Sequence, residues 1–192
     1  MTTSSSPLGH MVSVIDHDRI PLRFLIMDCP TENTLSLYLT TFRQHNVTMV
    51  VRCCQETYNA DSLIDQGIDF IDLPFRDGGV PSRTKLDEWK MVVEKYAQHQ
   101  NPSTIAVHCV AGLGRAPVLV ALALIDLGLS SRDAIHLVRQ KRRGAFNRSQ
   151  LGFLDLYHHR MSLLFVGAFG VGVVMGWSAV NEIDAADISA AT

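Results

Sequence analysis

A thiol and a guanidinium lie close together near the middle of the chain. Cys109 and Arg115 are separated by five residues: Val110, Ala111, Gly112, Leu113 and Gly114. The two glycines permit backbone conformations in which successive N–H groups face one anion, and a helix N-terminus after the loop adds its positive dipole. A guanidinium holds two phosphate oxygens at once, and positive surroundings favour a reactive thiolate on the cysteine. The spacing therefore predicts a phosphate-binding loop that carries its own nucleophile.

The alternative for Cys109 is a buried core cysteine, which is the usual fate of a free cysteine. Of the four cysteines, at positions 29, 53, 54 and 109, Cys109 alone has an arginine six positions later. His108 precedes it, and the segment reads as a strand running into a helix. This combination favours the nucleophile.

Alternating apolar strands and helical periods predict an α/β domain, with a mostly parallel sheet of four or five strands flanked by helices. Residues 105–108 form the strand before the loop, and the nearly all-apolar 116–127 form the buried helix after it. The other predicted strands are 23–27, 47–52 and 68–73, and the other predicted helices are 30–44, 84–99, 131–142 and 147–161.

The composition limits the class of protein. The chain has 192 residues, 47% hydrophobic and 19% charged, which fits one folded domain and excludes a disordered or coiled-coil protein. A formal charge of −2 excludes a global basic field for nucleic acid. Four cysteines without a CxxC pair indicate neither a disulfide scaffold nor a zinc site, so we expect a reducing, cytoplasmic location with no metal or other cofactor.

Four segments are predicted: an N-terminal arm at 1–18, the domain at 19–161, a hydrophobic segment at 162–180 and an acidic disordered tail at 181–192. Residues 163–180 carry no charge and would span about 27 Å as a helix. His158, His159 and Arg160 precede them and acidic residues follow, which suits a tail anchor with the domain on the cytosolic side. Four glycines weaken any such helix, so a tail without function is the alternative.

The run from His108 to Ile125 resembles the phosphatases of regenerating liver, a subfamily of the cysteine-dependent protein tyrosine and dual-specificity phosphatases. Residues 139–147 form a second match and 23–26 a weaker third. The resemblance covers about 19–161. It implies a protein tyrosine phosphatase acting through a phosphocysteine on Cys109, with Arg115 and the loop holding the phosphoryl group.

The resemblance also implies a general acid and a redox partner. Asp77, 32 residues before Cys109, matches the family's acid, although Asp77-Gly78 could be a simple turn. In this loop Leu73 replaces the usual tryptophan and Arg76 the usual first aspartate. Cys54 matches a cysteine that forms a reversible disulfide with the nucleophile; two independent thiols are the alternative. Cys29 and Cys53 read as structural, and Tyr58 and His108 match family positions near the site without a catalytic role.

Ala116 stands where most relatives carry a hydroxyl that helps to expel the thiolate, so we expect slow turnover. This motivates a second hypothesis, in which the protein is a low-activity binding module. Its loop would receive an acidic side chain of a membrane magnesium-transport mediator, because the resembled family is associated with such proteins. Phosphotyrosine protein is the expected substrate; phosphoinositide is less favoured because the loop has no lysine, and the basic run at 141–143 suits a solvated helix end. Relatives also form oligomers and carry a prenylated C-terminal cysteine, whereas no cysteine follows Cys109 here.

Overall fold

The computed structural model describes residues 12–98 and 103–167, with side chains up to residue 157. Within them a five-stranded sheet has the order β1-β2-β5-β3-β4. The strands are β1 Val12–Ile15, β2 Arg23–Met27, β3 Val47–Arg52, β4 Asp69–Asp72 and β5 Thr104–His108. The helices are α1 Leu35–Gln44, α2 Asp61–Ile64, α3 Arg83–Ala97, α4 Arg115–Asp126, α5 Ser131–Lys141 and α6 Arg148–Gly167.

The sheet is parallel except at one edge. β2, β5, β3 and β4 pair in parallel, whereas β1 pairs antiparallel with β2. The carboxyl ends of parallel strands lie at the same edge of a sheet, where α/β proteins place their sites. The predicted α/β class, with a mostly parallel sheet of four or five strands, is confirmed.

The central strand β5 is buried on both faces, because apolar clusters cover the sheet on each side. Ile105 and Val107 belong to one cluster and Ala106 to the other, as the alternation of side chains along a strand requires. The first cluster contains α4, whose residues from Arg115 to Ile125 are all buried. Trp89 of α3 packs there and donates its indole N–H to the Leu119 carbonyl at 2.8 Å. This packing holds α4 between α3 and the sheet.

Several boundaries differ from those predicted. Strand β1 lies inside the segment predicted as an arm: its residues alternate between half-buried and buried and pair with β2, and a strand this short carries little periodicity. α1 begins at Leu35 rather than 30, after a turn in which Leu35 N–H donates to the Thr31 carbonyl. The four-residue helix α2 was not predicted.

The chain divides into two compact units, 1–159 and 160–192. The predicted hydrophobic segment at 162–180 and the predicted tail at 181–192 both fall within the second. Residues 1–11 and 168–192 lie outside the described part of the chain, so the first eleven residues of the arm, the anchor and the tail stay predictions. No helix within residues 12–98 and 103–167 combines the length and apolar character that a membrane crossing requires.

Candidate active site

The segment from Cys109 to Gly114 forms a loop between β5 and the first residue of α4. Cys109 is buried at its base with 3% exposure. Val110 and Leu113 point outward, 62% and 40% exposed. The Cys29 N–H donates to the Val110 carbonyl at 3.0 Å, which ties the loop to the segment after β2. The loop thus presents apolar side chains at its rim and a thiol at its base.

Gly112 makes the sharp turn of this loop possible. Its φ is +66°, and a Cβ there would lie 2.5 Å from the Met27 carbonyl oxygen and 2.6 Å from Nη2 of Arg142. Only glycine fits both the conformation and the space. Arg142 donates from Nε to the Gly112 carbonyl at 3.1 Å and from Nη2 to the Ala111 carbonyl at 3.0 Å. These bonds turn the two carbonyl oxygens towards Arg142, so that neither oxygen needs to point at a bound anion.

Arg115 is a buried guanidinium that the protein engages only in part. Nη1 donates to the carbonyls of Cys53 at 3.2 Å and Phe75 at 3.3 Å, and Nη2 lies 3.1 Å from Oδ1 of Asp77. Nε is buried and has no hydrogen-bond partner among the described residues. A buried N–H donor without a partner is costly unless a ligand accepts from it. The arrangement therefore suits an anion bound beside the loop.

Asp77 reaches the same guanidinium from the loop that follows β4. Its side chain is 84% exposed, so it can meet a ligand that enters from solvent. Leu73, directly after β4, anchors the start of this loop, because it is fully buried and its N–H donates to the Arg52 carbonyl at 2.9 Å. Leucine in place of the expected tryptophan still fills this core position. The structure thus brings the predicted acid to the predicted phosphate-binding arginine.

Comparison with known proteins agrees with this geometry. Residues 31–160 match the model of the dual specificity phosphatase catalytic domain. The chain belongs to this family. The PRL-1 phosphatase of Drosophila melanogaster is 48% identical over 142 residues, 74% of this chain and 81% of that protein. Human protein tyrosine phosphatase type IVA 3 is 46% identical over 144 residues, 75% of this chain and 83% of that protein.

A solved structure of a protein tyrosine phosphatase from Leishmania major is similar with a TM-score of 0.69 and 39% identity, over 75% of this chain and 96% of that one. The resemblance to the phosphatases of regenerating liver is therefore confirmed, and with it the fold class.

Sequence reasoning missed two residues that hold the acid loop of this phosphatase. At the start of α6, Asn147 Nδ2 donates to the Gly78 carbonyl at 2.8 Å, and Nε2 of the fully buried Gln150 donates to the Gly79 carbonyl at 2.9 Å. They also cap each other: Asn147 N–H donates to Oε1 of Gln150 and Gln150 N–H to Oδ1 of Asn147. This is the reciprocal pattern of a capping box, and its three-residue spacing was the available signal.

A buried polar chain supports the base of the site. The Tyr58 hydroxyl lies 2.7 Å from Nε2 of the fully buried His108, while the Tyr58 carbonyl accepts from Arg52 at 2.7 Å. Arg52 binds both oxygens of Asp72, at 2.6 and 2.8 Å. Burial raises the pKa of the Tyr58 hydroxyl, so it stays protonated beside the imidazole. This contact suits a role for His108 in orienting the loop.

All four cysteines are free thiols. The Cys54 sulfur lies 3.5 Å from the sulfur of Cys29. The disulfide expected between Cys54 and Cys109 is not formed here and stays a prediction. Burial raises the pKa of Cys53, whose carbonyl supports Arg115. Within the described residues, Cys29, Cys54 and His108 place one possible metal-ligand atom each within 4.8 Å of one another.

A cleft of about 650 Å³ opens beside the phosphatase loop. Its lining combines the apolar loop residues with the basic run at the end of α5; the lining residues are Ser13, Asp28, Val110, Ala111, Leu113, Lys141, Arg142 and Arg143. Arg142 of this run is a structural support of the loop rather than a freely solvated residue, because burial lowers its pKa and two loop carbonyls accept its N–H groups.

Proposed function

We propose that this phosphatase hydrolyses phosphotyrosine in protein substrates, with Cys109 as nucleophile, Arg115 and residues 110–114 as the phosphate-binding group, and Asp77 as general acid. The observation that carries the proposal is the buried Nε of Arg115, which has no partner among the described residues although Nη1 and Nη2 are both engaged. A phosphoryl oxygen would accept from it.

The first step is attack of the Cys109 thiolate on phosphorus. An S–P bond forms while the bond to the ester oxygen breaks, and the leaving oxygen takes the proton of the Asp77 carboxyl. Binding of the phosphate dianion to Arg115 neutralises the cation that Asp77 contacts and brings negative charge close to the carboxylate. Like charge favours the protonated form of a carboxyl, which is the form that an acid requires.

The second step is hydrolysis of the phosphocysteine. Asp77, now a carboxylate, accepts a proton from water, the water oxygen bonds to phosphorus, and the Cys109 thiolate leaves with the electron pair of the S–P bond. Ala116 is fully buried at the start of α4 and has no hydroxyl to stabilise the departing sulfur. We therefore expect this step to be slow.

Two features of the site favour phosphotyrosine over phosphoinositide. Val110 and Leu113 give the rim an exposed apolar surface on which an aromatic ring can pack. Arg142, which could otherwise meet an inositol phosphate, is occupied by the loop carbonyls. The test compares hydrolysis of a phosphotyrosine peptide with that of a dispersed short-chain phosphoinositide; preference for the lipid would contradict this assignment.

The mechanism is tested by a single turnover with a generic aryl phosphate under reducing conditions, following the phosphate adduct on Cys109 by mass spectrometry. Asp77→Ala should slow adduct formation by about 10²- to 10⁴-fold. Asp65→Ala, which removes an exposed carboxylate outside the site, should leave it unchanged. Ala116→Ser should speed decay of the adduct. Absence of any adduct on the fully reduced wild type would refute the catalytic proposal.

The finer partner predictions rest on the resemblance alone. The named relatives support phosphatase activity, and they do not support the alternative of a low-activity binding module. Binding to a magnesium-transport mediator, oligomer formation and a position at the cytosolic face of a membrane stay predictions. Flotation of the full chain with anionic vesicles, compared with a chain ending at residue 161, would test the last of these.

A further inference from the structure

Three cysteines lie at the carboxyl edge of three neighbouring strands. Cys29 follows β2, Cys54 follows β3, and Cys109 follows β5, which runs between them in the sheet. Although 25 residues separate them in the chain, the Cys29 and Cys54 sulfurs are only 3.5 Å apart. The backbone of Cys29 is bonded to Val110, immediately after the nucleophile. This places a thiol pair beside the site without using Cys109.

The surroundings of the two sulfurs differ. Cys29 is partly exposed and its sulfur lies 3.0 Å from the Thr57 hydroxyl, whereas Cys54 is buried. The hydrogen bond from the Cys54 thiol, with smaller contributions from His108 and Thr57, lowers the pKa of Cys29 to about 4 against the opposing effect of burial. The same bond raises the pKa of Cys54. An accessible thiolate therefore faces a protonated thiol at contact distance.

We propose that Cys29 and Cys54 are a redox-sensitive pair that forms a disulfide on oxidation, in which Cys29 is the oxidant-sensitive thiol and Cys54 the resolving thiol. The sulfurs must approach from 3.5 Å to about 2.0 Å, the length of an S–S bond. This approach of about 1.5 Å involves the partly exposed side chain in the segment after β2. The pair is independent of the catalytic role proposed for Cys109, and differs from the Cys54–Cys109 bond that the resemblance predicts.

The oxidant is a hydroperoxide. The Cys29 thiolate attacks its terminal oxygen, so that an S–O bond forms, the O–O bond breaks, and the second oxygen leaves as water or an alcohol after taking a proton. The Cys54 sulfur then attacks the Cys29 sulfenic acid, forming the S–S bond and releasing hydroxide, which leaves as water with the Cys54 proton. The two sulfurs lose two electrons in total and the peroxide gains them.

The bond would protect the nucleophile from one form of inactivation. While Cys54 is held by Cys29, it cannot bond to Cys109, whose sulfur then stays available to substrate. An existing Cys54–Cys109 bond could also be released by the Cys29 thiolate, which would take Cys54 and return Cys109 as a thiolate. Oxidation at Cys29 is therefore expected to spare phosphatase activity rather than to abolish it.

The test uses peptide mapping of the reduced full-length chain, treated with stoichiometric hydrogen peroxide in the presence of a chelator, then alkylated and digested with trypsin without reduction. Cleavage after Arg and Lys places the cysteines on three peptides: 24–43 holds Cys29, 53–76 holds Cys53 and Cys54, and 96–115 holds Cys109. The proposal predicts that 24–43 is crosslinked to 53–76, with fragment ions placing the bond on Cys54.

Two variants complete the experiment. Cys29→Ser should abolish this crosslink and, after peroxide, retain less phosphatase activity than the wild type. Cys53→Ser should keep the crosslink. If Cys53→Ser does not fold, the fragment ions of the wild-type peptide distinguish Cys53 from Cys54 instead. A wild type that shows only the bond between 53–76 and 96–115, or no bond, overturns the proposal. Activity of the same sample before peroxide tests the phosphatase function separately.

Discussion

Replacement of Gly112 by alanine tests whether the turn of the phosphate-binding loop depends on a missing side chain. The new Cβ would lie 2.5 Å from the Met27 carbonyl oxygen and 2.7 Å from its carbon. Arg142 could move away from its own contact at 2.6 Å, but Met27 belongs to β2 inside the sheet and cannot. The substitution must therefore distort either the strand or the loop.

The expected cost has two parts. A left-handed backbone with a Cβ costs about 1–2 kcal/mol, and forcing extra volume into a packed site costs about 1–3 kcal/mol, giving about 2–5 kcal/mol in all. Gly67→Ala is the matched control, because its φ is +72° and nothing lies within 4 Å of the new Cβ. It should lose only about 1–2 kcal/mol. The effect of alanine on the unfolded chain is common to both variants.

Urea unfolding of the wild type and both variants measures these free energies. Inorganic phosphate that binds the folded protein raises its free energy of unfolding, so the same titrations with added phosphate show whether the loop still binds an anion. Gly112→Ala should lose more stability than Gly67→Ala and should also lose the phosphate effect, which Gly67→Ala keeps. Equal destabilisation of the two variants, or phosphate binding that survives in Gly112→Ala, would refute the reasoning.

Three further predictions concern the supports of the site. Tyr58→Phe removes the hydroxyl that lies 2.7 Å from Nε2 of the buried His108, so the free energy of unfolding in urea should fall by about 1–3 kcal/mol. An unchanged value would show that this contact contributes nothing to stability. Asn147→Ala should slow adduct formation in the wild type but not in the Asp77→Ala background, since it acts through the acid loop; additive effects in single-turnover assays would contradict this. Because its pKa is lowered to about 4, Cys29 is a thiolate throughout the range from pH 6 to 9. The rate of its alkylation by iodoacetamide, measured by mass spectrometry of peptide 24–43, should therefore be nearly constant over this range. A tenfold rise in rate per pH unit would contradict the lowered pKa.

The chemistry of the central loop could be read from sequence because its parts are contiguous. Nucleophile, glycines and arginine lie within seven residues, between an apolar strand and an apolar helix, and local geometry alone brings them together. The parallel order of the sheet followed from the alternation of strands and helices. Asp77 was found by resemblance, since Asp-Gly by itself also fits a simple turn.

Tertiary structure decided what depends on contacts between distant parts of the chain. The hydrogen bonds of Asn147 and Gln150 to the acid loop join residues that are 69 and 71 positions apart in the chain. Likewise Cys29 reads as a structural cysteine in sequence, and becomes a reactive candidate only where the order β2-β5-β3 brings its sulfur to Cys54. Sequence determines the conformations that neighbouring residues can adopt, whereas packing of the strands and helices determines which distant side chains share one edge of the sheet.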